Sequence, residues 1–181
     1  MKSVAFGIHL PVIGFAGEKT ISKEQLISYA QKAEELGYDS LSVNDHIIYR
    51  TGWLDAICSL SAIAATTHRI KIGTSILNIV IRNPVVCAKA LSAMDILSSG
   101  RLFVGLGEGS SKGDYEACGM PFEDRWKRFS EALDIIHTLW TDQDETKSSL
   151  IGYEGKYYKL KGVSIYPQPI QKPHPPIMIA S

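Results

Sequence analysis

Short apolar runs and amphipathic segments alternate along this chain from its first residues. Val4-Ala5-Phe6-Gly7-Ile8 has the length and composition of a buried strand, closed by Pro11 and by glycines at 14 and 17. Ser22-Lys23-Glu24-Gln25 then has capping-box spacing, with Ile21 and Leu26 placed as a hydrophobic staple. Leu26, Ala30, Ala33 and Leu36 recur at helical period, and Gly37 supplies the stop. Residues 40–43 read as a second strand ending in the polar cluster Asn44-Asp45-His46, and residues 55–66 as the helix that follows.

The rhythm continues. Residues 70–77 form a third apolar strand, and Asn83 caps a helix with Pro84 at its first position, running to Leu97 before Gly100. Residues 102–106 are the fourth strand. Trp126, Phe129, Leu133, Ile136 and Leu139 trace one face of a long helix announced by Pro121 and Glu123-Asp124. Beyond Trp140 come a polar stretch, a short hairpin excursion through Tyr153 to Tyr158, a proline-rich passage from Pro167 to Pro176, and Ile177-Met178-Ile179 as a fifth strand.

Repeated strand–helix units predict an α/β fold with a parallel sheet and right-handed crossovers, closed as a barrel or left open and doubly wound. A complete (β/α)8 TIM barrel takes about 250 residues, whereas this chain of 181 carries about five strands. The expectation is therefore one incomplete-barrel domain over residues 1–181, lacking strands six to eight. It is either a truncated product or a half completed by a partner.

Composition narrows the ligand. With 45% apolar and 21% charged residues the chain can bury one core. Lysine plus arginine cancel aspartate plus glutamate at 19 each, which leaves no net field for nucleic acid or an anionic membrane and points to a small or local ligand. Cys58, Cys87 and Cys118 are far apart, odd in number and without C-x-x-C spacing, so they read as buried, reduced thiols of a cytoplasmic protein. Met1-Lys2-Ser3 runs directly into the first strand, and no apolar run approaches the roughly 20 residues of a membrane span, so neither a signal peptide nor an anchor is expected.

Parallel α/β folds bind ligands at the carboxyl ends of their strands. Standing there are His9, Asn44-Asp45-His46, Ser75-Ile76 with Asn78, and Gly107-Glu108-Gly109-Ser110. Asp45 and His46 can accept and donate protons beside a bound ring; a loop cap with a solvated histidine explains the same pair equally well. The run Gly105-Leu106-Gly107-Glu108-Gly109 lets backbone approach a flat or phosphorylated ligand, although a tight strand-to-loop turn uses the same glycines. It is neither a dinucleotide fingerprint nor a Walker loop. Arg125 and Arg128 lie on the polar side of the long helix; Arg125 can reach a phosphate or carboxylate bidentately, and Arg128 reads as a surface ion pair. No metal-ligand spacing and no nucleophile elbow occur, and His68, His137 and His174 read as structural.

Taken in order, several segments resemble the luciferase-like monooxygenase superfamily, especially its F420-dependent oxidoreductase branch. They are Ser42-Val43-Asn44-Asp45-His46, Ile72-Gly73-Thr74-Ser75-Ile76, Arg82-Asn83-Pro84 and Ser99-Gly100-Arg101 through Gly109. Gly119-Met120-Pro121-Phe122-Glu123-Asp124-Arg125, Leu139-Trp140, and Pro167-Gln168-Pro169 with Lys172-Pro173-His174-Pro175-Pro176-Ile177 extend the likeness over nearly the whole chain.

The resemblance implies an oxidoreductase with a barrel whose cofactor ring, reduced FMN or coenzyme F420, lies across the strand ends. It implies a bulge after strand three with a non-proline cis peptide at Ser75-Ile76, Ile76 pressing on the ring. Asp45 and His46 would stand at the ring's active edge as the catalytic pair. Ser75, Asn78, Gly107, Glu108, Gly109 and Arg125 complete the implied cofactor contacts, with no metal. The substrate would be a small organic molecule, the assembly a homodimer, and a separate flavin reductase a further partner. Sugar-phosphate dehydrogenase members carry a tryptophan shortly after the Asp-His pair and an acid after the glycine run. Here those positions fall near Arg50, with Trp53 close by, and at Ser110, which argues against glucose 6-phosphate.

Two other readings compete. One is a non-catalytic half-barrel that serves as a binding or associating module. The other, an open-sheet nucleotide-binding protein, lacks a phosphate fingerprint after the first strand. Unpaired edges of a five-stranded sheet favour homo-oligomers, and the small residues Ala56, Ser59, Ala62 and Ala65 suit either a subunit contact or the core.

Overall fold

Seven strands and five helices follow one another in the computed structural model, which describes residues 4–14, 20–141 and 150–180. They are β1 (Gly7–His9), α1 (Lys23–Glu35), β2 (Ser40–Val43), α2 (Ala56–Ala64), β3 (Lys71–Asn78), α3 (Pro84–Leu97), β4 (Leu102–Gly107), α4 (Lys112–Ala117), α5 (Arg125–Thr141), β5 (Ile151–Glu154), β6 (Lys159–Val163) and β7 (Ile177–Ile179). β1-β2-β3-β4-β7 form one sheet in that order, with every pair parallel. β5 and β6 pair antiparallel as a separate hairpin. The sheet is thus the alternating α/β sheet read from the pattern, and it ends on the expected fifth strand. Met1 to Ser3 and Gly17 lie outside the described residues.

The strands show the two-residue period of a sheet with one covered face. Leu41, Val43, Ile72, Leu102, Val104 and Leu106 are buried and join the apolar faces of the helices in one core, while Ser40, Ser42, Lys71 and Ser75 are partly or wholly exposed. Local signals set the helix ends. Ser22 and Gln25 form the reciprocal capping box of α1, and Gly37, at φ 81°, closes a Schellman turn in which Tyr38 N–H donates to Ala33 O at 3.1 Å. Asn83 caps α3, accepting the N–H groups of Val85 and Val86. Trp140 then ties α5 to α3 through Nε1–H donated to Ser92 Oγ at 3.0 Å.

The amino-terminal ends of the strands are knitted for stability. Arg101, just before β4, donates to the carbonyls of Ala64, Thr67 and Ile70, each at 2.9 Å. Glu34 accepts the N–H groups of His68, Arg69 and Ile70 at 2.9, 2.6 and 2.8 Å. The carboxyl ends are thereby left to carry the site.

Three expectations need correction. Trp126 is 47% exposed, because the buried face of α5 runs through Phe129, Ala132, Ile135, Ile136, Leu139 and Trp140 instead. Cys58 is exposed and Cys118 half-buried, so only Cys87 is a buried thiol, its pKa pushed up to about 12 chiefly by that burial. The opening run is not a buried strand, since Val4 and Phe6 are 75% and 64% exposed and β1 begins only at Gly7. Among the described residues no helix is long and apolar enough to cross a membrane.

Candidate active site

The end of β3 departs from regular pairing. Its register against β4 shifts between Thr74 and Leu77, and the Ser75-Ile76 peptide is cis, where the resemblance placed both features. Two glycines of β4 make the bulge possible. A Cβ on Gly105 would stand 2.3 Å from the Thr74 carbonyl oxygen, and one on Gly107 would stand 2.2 Å from Ile76 Cδ1. Gly109, at φ 72°, leaves no room for a Cβ beside Asn78 Nδ2 at 2.4 Å. The glycine run therefore serves the neighbouring strand first, and any ligand second.

A cavity of about 200 Å³ opens beside this bulge. The segment after β2 contributes Asn44, Asp45 and His46, β3 contributes Ser75, Ile76 and Asn78, and the segment after β4 contributes Gly109, Ser110, Ser111 and Asp114. Six of the nine expected site residues thus line one space. Gly107 and Glu108 border it, through the Ile76 contact and the chain leading to Gly109. Arg125 does not line it: its guanidinium lies 3.9 Å over the Phe122 ring and donates to Phe122 O.

The Asp45 side chain is almost wholly buried and accepts three hydrogen bonds. Arg82 grips it with Nε donating to Oδ2 at 2.8 Å and Nη2 to Oδ1 at 2.6 Å, and Asn78 N–H adds a longer bond to Oδ2. Arg82 Nη2 also donates to Asp55 Oδ2 at 2.6 Å, which ties the cluster to the N-cap of α2. Burial opposes the Arg82 charge, but Asp45 and Asp55 outweigh it and push the guanidinium pKa up. For Asp55 burial likewise works against the charge, and the Cys58 N–H and Arg82 together hold its carboxyl below the usual range.

His46 has a different partner. Its Nδ1 lies 3.0 Å from Asp114 Oδ2, and the other oxygen of that carboxylate accepts Ile48 N–H at 2.8 Å. Ser111 holds the first turn of α4 by accepting Asp114 N–H. The Asp114 side chain is only 5% exposed and that of His46 26%, so a buried carboxylate supports a partly open imidazole. Tyr49 and Trp53 flank the ring with centroids at 4.9 Å each. Among the described residues no hydrogen bond involves His46 Nε2, the nitrogen left for a bound molecule. His9 stands nearby, its Nε2 3.0 Å from Asn44 Oδ1.

Behind the cavity the Tyr115 hydroxyl donates to the Glu108 carbonyl, and burial first, with Glu108 adding, pushes its pKa up to about 12. Glu108 Oε2 is buried without a hydrogen-bond partner. Among the described residues no group of three or more His, Cys, Asp or Glu is arranged to hold a metal.

Asp114 is the residue that sequence reasoning missed. Its one local signal is Ser111-Lys112-Gly113-Asp114, a cap followed by an acid in the first turn, which marks a helix start but names no distant partner.

Comparison with known proteins settles the family. The sequence model of the luciferase-like monooxygenases matches residues 5–181. The chain belongs to the luciferase-like monooxygenase family. A curated relative, the F420-dependent glucose-6-phosphate dehydrogenase of Amycolatopsis mediterranei, is 34% identical over 166 residues, covering 86% of this chain and 47% of the relative. Among solved structures, monooxygenase RslO1 from Streptomyces bottropensis is 28% identical at TM-score 0.84, over 98% of this chain and 54% of that one. An F420-dependent secondary alcohol dehydrogenase with an F420–acetone adduct shares the fold at TM-score 0.80 and 21% identity, over 98% and 52% of the two chains. So does the FMN-bound oxygenating constituent of 3,6-diketocamphane monooxygenase from Pseudomonas putida, at TM-score 0.75 and 19% identity, over 97% and 51%. This luciferase-like chain spans about half the length of the curated relatives it matches.

Proposed function

We propose that this luciferase-like chain carries the site of a flavin- or F420-dependent oxidoreductase acting on a small organic substrate. The observation that carries the reading is the Asp114-supported His46, set across one cavity from the bulge that presents Ser75 and Ile76.

The residues present suit a flat ring edged by polar atoms. Ile76 is half-buried and lies over Gly107, a hydrocarbon surface on which a ring can rest, and Ser75 and Asn78 flank it with hydrogen-bonding groups. Glu108 Oε2, buried and unpartnered, lacks a donor that a bound molecule can bring. When bound, FMN or F420 supplies hydride acceptance or donation. His46 holds or moves a proton at Nε2, because Asp114 occupies Nδ1. Asp45, fixed by Arg82, holds the β2 loop against Asn78 and borders the ring as a charged wall.

Association as a homodimer belongs to the same proposal, with the outer strands of the described sheet, β1 and β7, as candidate surfaces. The free cysteines suit a reducing cytoplasm. Were the cofactor FMN, a separate reductase would deliver it reduced.

The test is titration of the purified chain with FMN and with F420, oxidised and reduced, followed by protein and cofactor fluorescence. One cofactor is expected to saturate the signal, Ile76→Asp to abolish it, and His46→Ala to retain it. Saturation by neither would overturn the proposal in favour of a non-catalytic binding or associating module.

A further inference from the structure

Two histidines far from the cofactor cavity are brought together by the fold. His137 stands exposed on α5, and His174 is half-buried in the proline-rich passage that leads into β7. Their ring centroids lie 5.3 Å apart, with the planes inclined at 69°. Two imidazoles that share one tetrahedral zinc ion, each at a Zn–N distance of about 2.1 Å, stand about 5 Å apart by the same measure. The spacing of a ligand pair is therefore already present.

The surroundings fix one ring and free the other. His174 Nδ1 lies 2.8 Å from Pro175 O, and because a carbonyl only accepts, Nδ1 carries the proton and Nε2 keeps its lone pair for an ion. A backbone carbonyl on the far nitrogen is the usual outer support of a metal-bound histidine. The Trp140 indole lies against the same ring at 6.2 Å between centroids, itself held by Nε1–H donated to Ser92 Oγ. Among the described residues no hydrogen bond involves the His137 ring, so it is free to turn from its edge-on pose and aim a nitrogen at a shared ion.

The charges nearby are mixed. Asp134, one turn earlier on α5, draws a cation, and Lys172, two residues before His174, opposes it. Affinity thus rests on the imidazoles, which suit zinc and its neighbours and not magnesium or calcium. Among the described residues no third His, Cys, Asp or Glu is arranged to join them, so water completes the coordination and the ion exchanges with solvent.

We infer that His137 and His174 form a two-histidine site for a divalent zinc-type ion, which pins α5 to the passage entering β7. That passage is already held by Gln171 to Asp95 of α3 and by Val104 N–H to Pro176 O. A bound ion adds a tie on the exposed side and steadies the fifth strand of the sheet.

The experiment is titration of the full chain with zinc chloride, following the histidine ring nitrogens by ¹⁵N NMR and unfolding by circular dichroism. Zinc is expected to shift the His137 and His174 nitrogens together and to raise the melting temperature, and magnesium chloride to do neither. His137→Ala and His174→Asn are each expected to weaken zinc about tenfold or more. Each variant is compared with itself without metal, so a change in its own stability leaves the readout intact. Acidification through the histidine range should release the ion as both rings take up protons. The inference is overturned by zinc shifts at only one of the two rings or at neither. It is equally overturned by a thermal response that survives both substitutions and disappears when Cys58 and Cys118 are replaced by serine.

Discussion

Asp114 Oδ2 lies 3.0 Å from His46 Nδ1 although 68 residues separate the two in the chain. The carboxylate accepts from two donors at once, since its other oxygen holds Ile48 N–H. Asparagine cannot do both. If its oxygen keeps Ile48 N–H, its amide NH2 faces Nδ1, which must then become an acceptor. Asp114→Asn is therefore expected to move the imidazole proton from Nδ1 to Nε2, visible in the ¹⁵N shifts of His46. Turnover in the proposed reaction would fall by about 10²-fold or more, as for a misplaced general base. An unchanged tautomer would remove Asp114 from its positioning role.

Asp45 and Arg82 make the second prediction. The Asp45 side chain is 1% exposed and that of Arg82 16%, so truncating the guanidinium strands a buried carboxylate. Arg82→Met is expected to cost about 3–5 kcal/mol in urea unfolding. Adding Asp45→Asn should recover a large part of that loss. Arg82→Lys should fall between, because an ammonium cannot reproduce the two-pronged grip while also reaching Asp55. A double variant no more stable than the single one would show that the cost lies elsewhere.

These two pairs mark the limit of what the sequence discloses. Local chemistry was legible: the Ser22 capping box, the Asn83-Pro84 helix start and the strand at Ile177–Ile179 all stand where period and caps put them. The resemblance added the bulge and its cis peptide, which no periodicity signals. Asp45 and His46 were legible as rim residues, but not that Arg82 takes the first and Asp114 the second. Such partnerships depend on how distant strand ends converge. Helical period likewise shows that α5 has an apolar face without showing which neighbours cover it, and so Trp126 was misplaced.

Gly105 and Gly107 give a paired test of the bulge. A methyl at 105 meets the Thr74 carbonyl, which is backbone and cannot step aside; a methyl at 107 meets Ile76 Cδ1, the free end of a flexible side chain. Gly105→Ala is expected to destabilise by about 3 kcal/mol or more, in the range of overpacked interiors. Gly107→Ala should cost about 1 kcal/mol and displace Ile76, weakening cofactor more than fold. Equal losses of stability would contradict this assignment.

At the opposite end of the sheet, Glu34 makes stability depend on pH. Burial alone would raise its pKa, but the N–H groups of Ile70, Arg69 and His68, with the Arg69 charge, outweigh burial and lower it from the ordinary 4.5. A carboxyl whose folded pKa lies below its unfolded one binds fewer protons when folded. Its stabilisation is thus fully present above about pH 4.5 and is lost as pH falls through the lowered folded value. Glu34→Gln removes the charge and should cost about 1–2 kcal/mol at neutral pH, as for charged hydrogen bonds at a partly exposed site. Urea midpoints of wild type and variant, measured from neutral to acidic pH, are expected to converge below 4.5 as the native carboxyl protonates. A gap that stayed constant through that range would mean that the three N–H groups do not depend on the charge of Glu34.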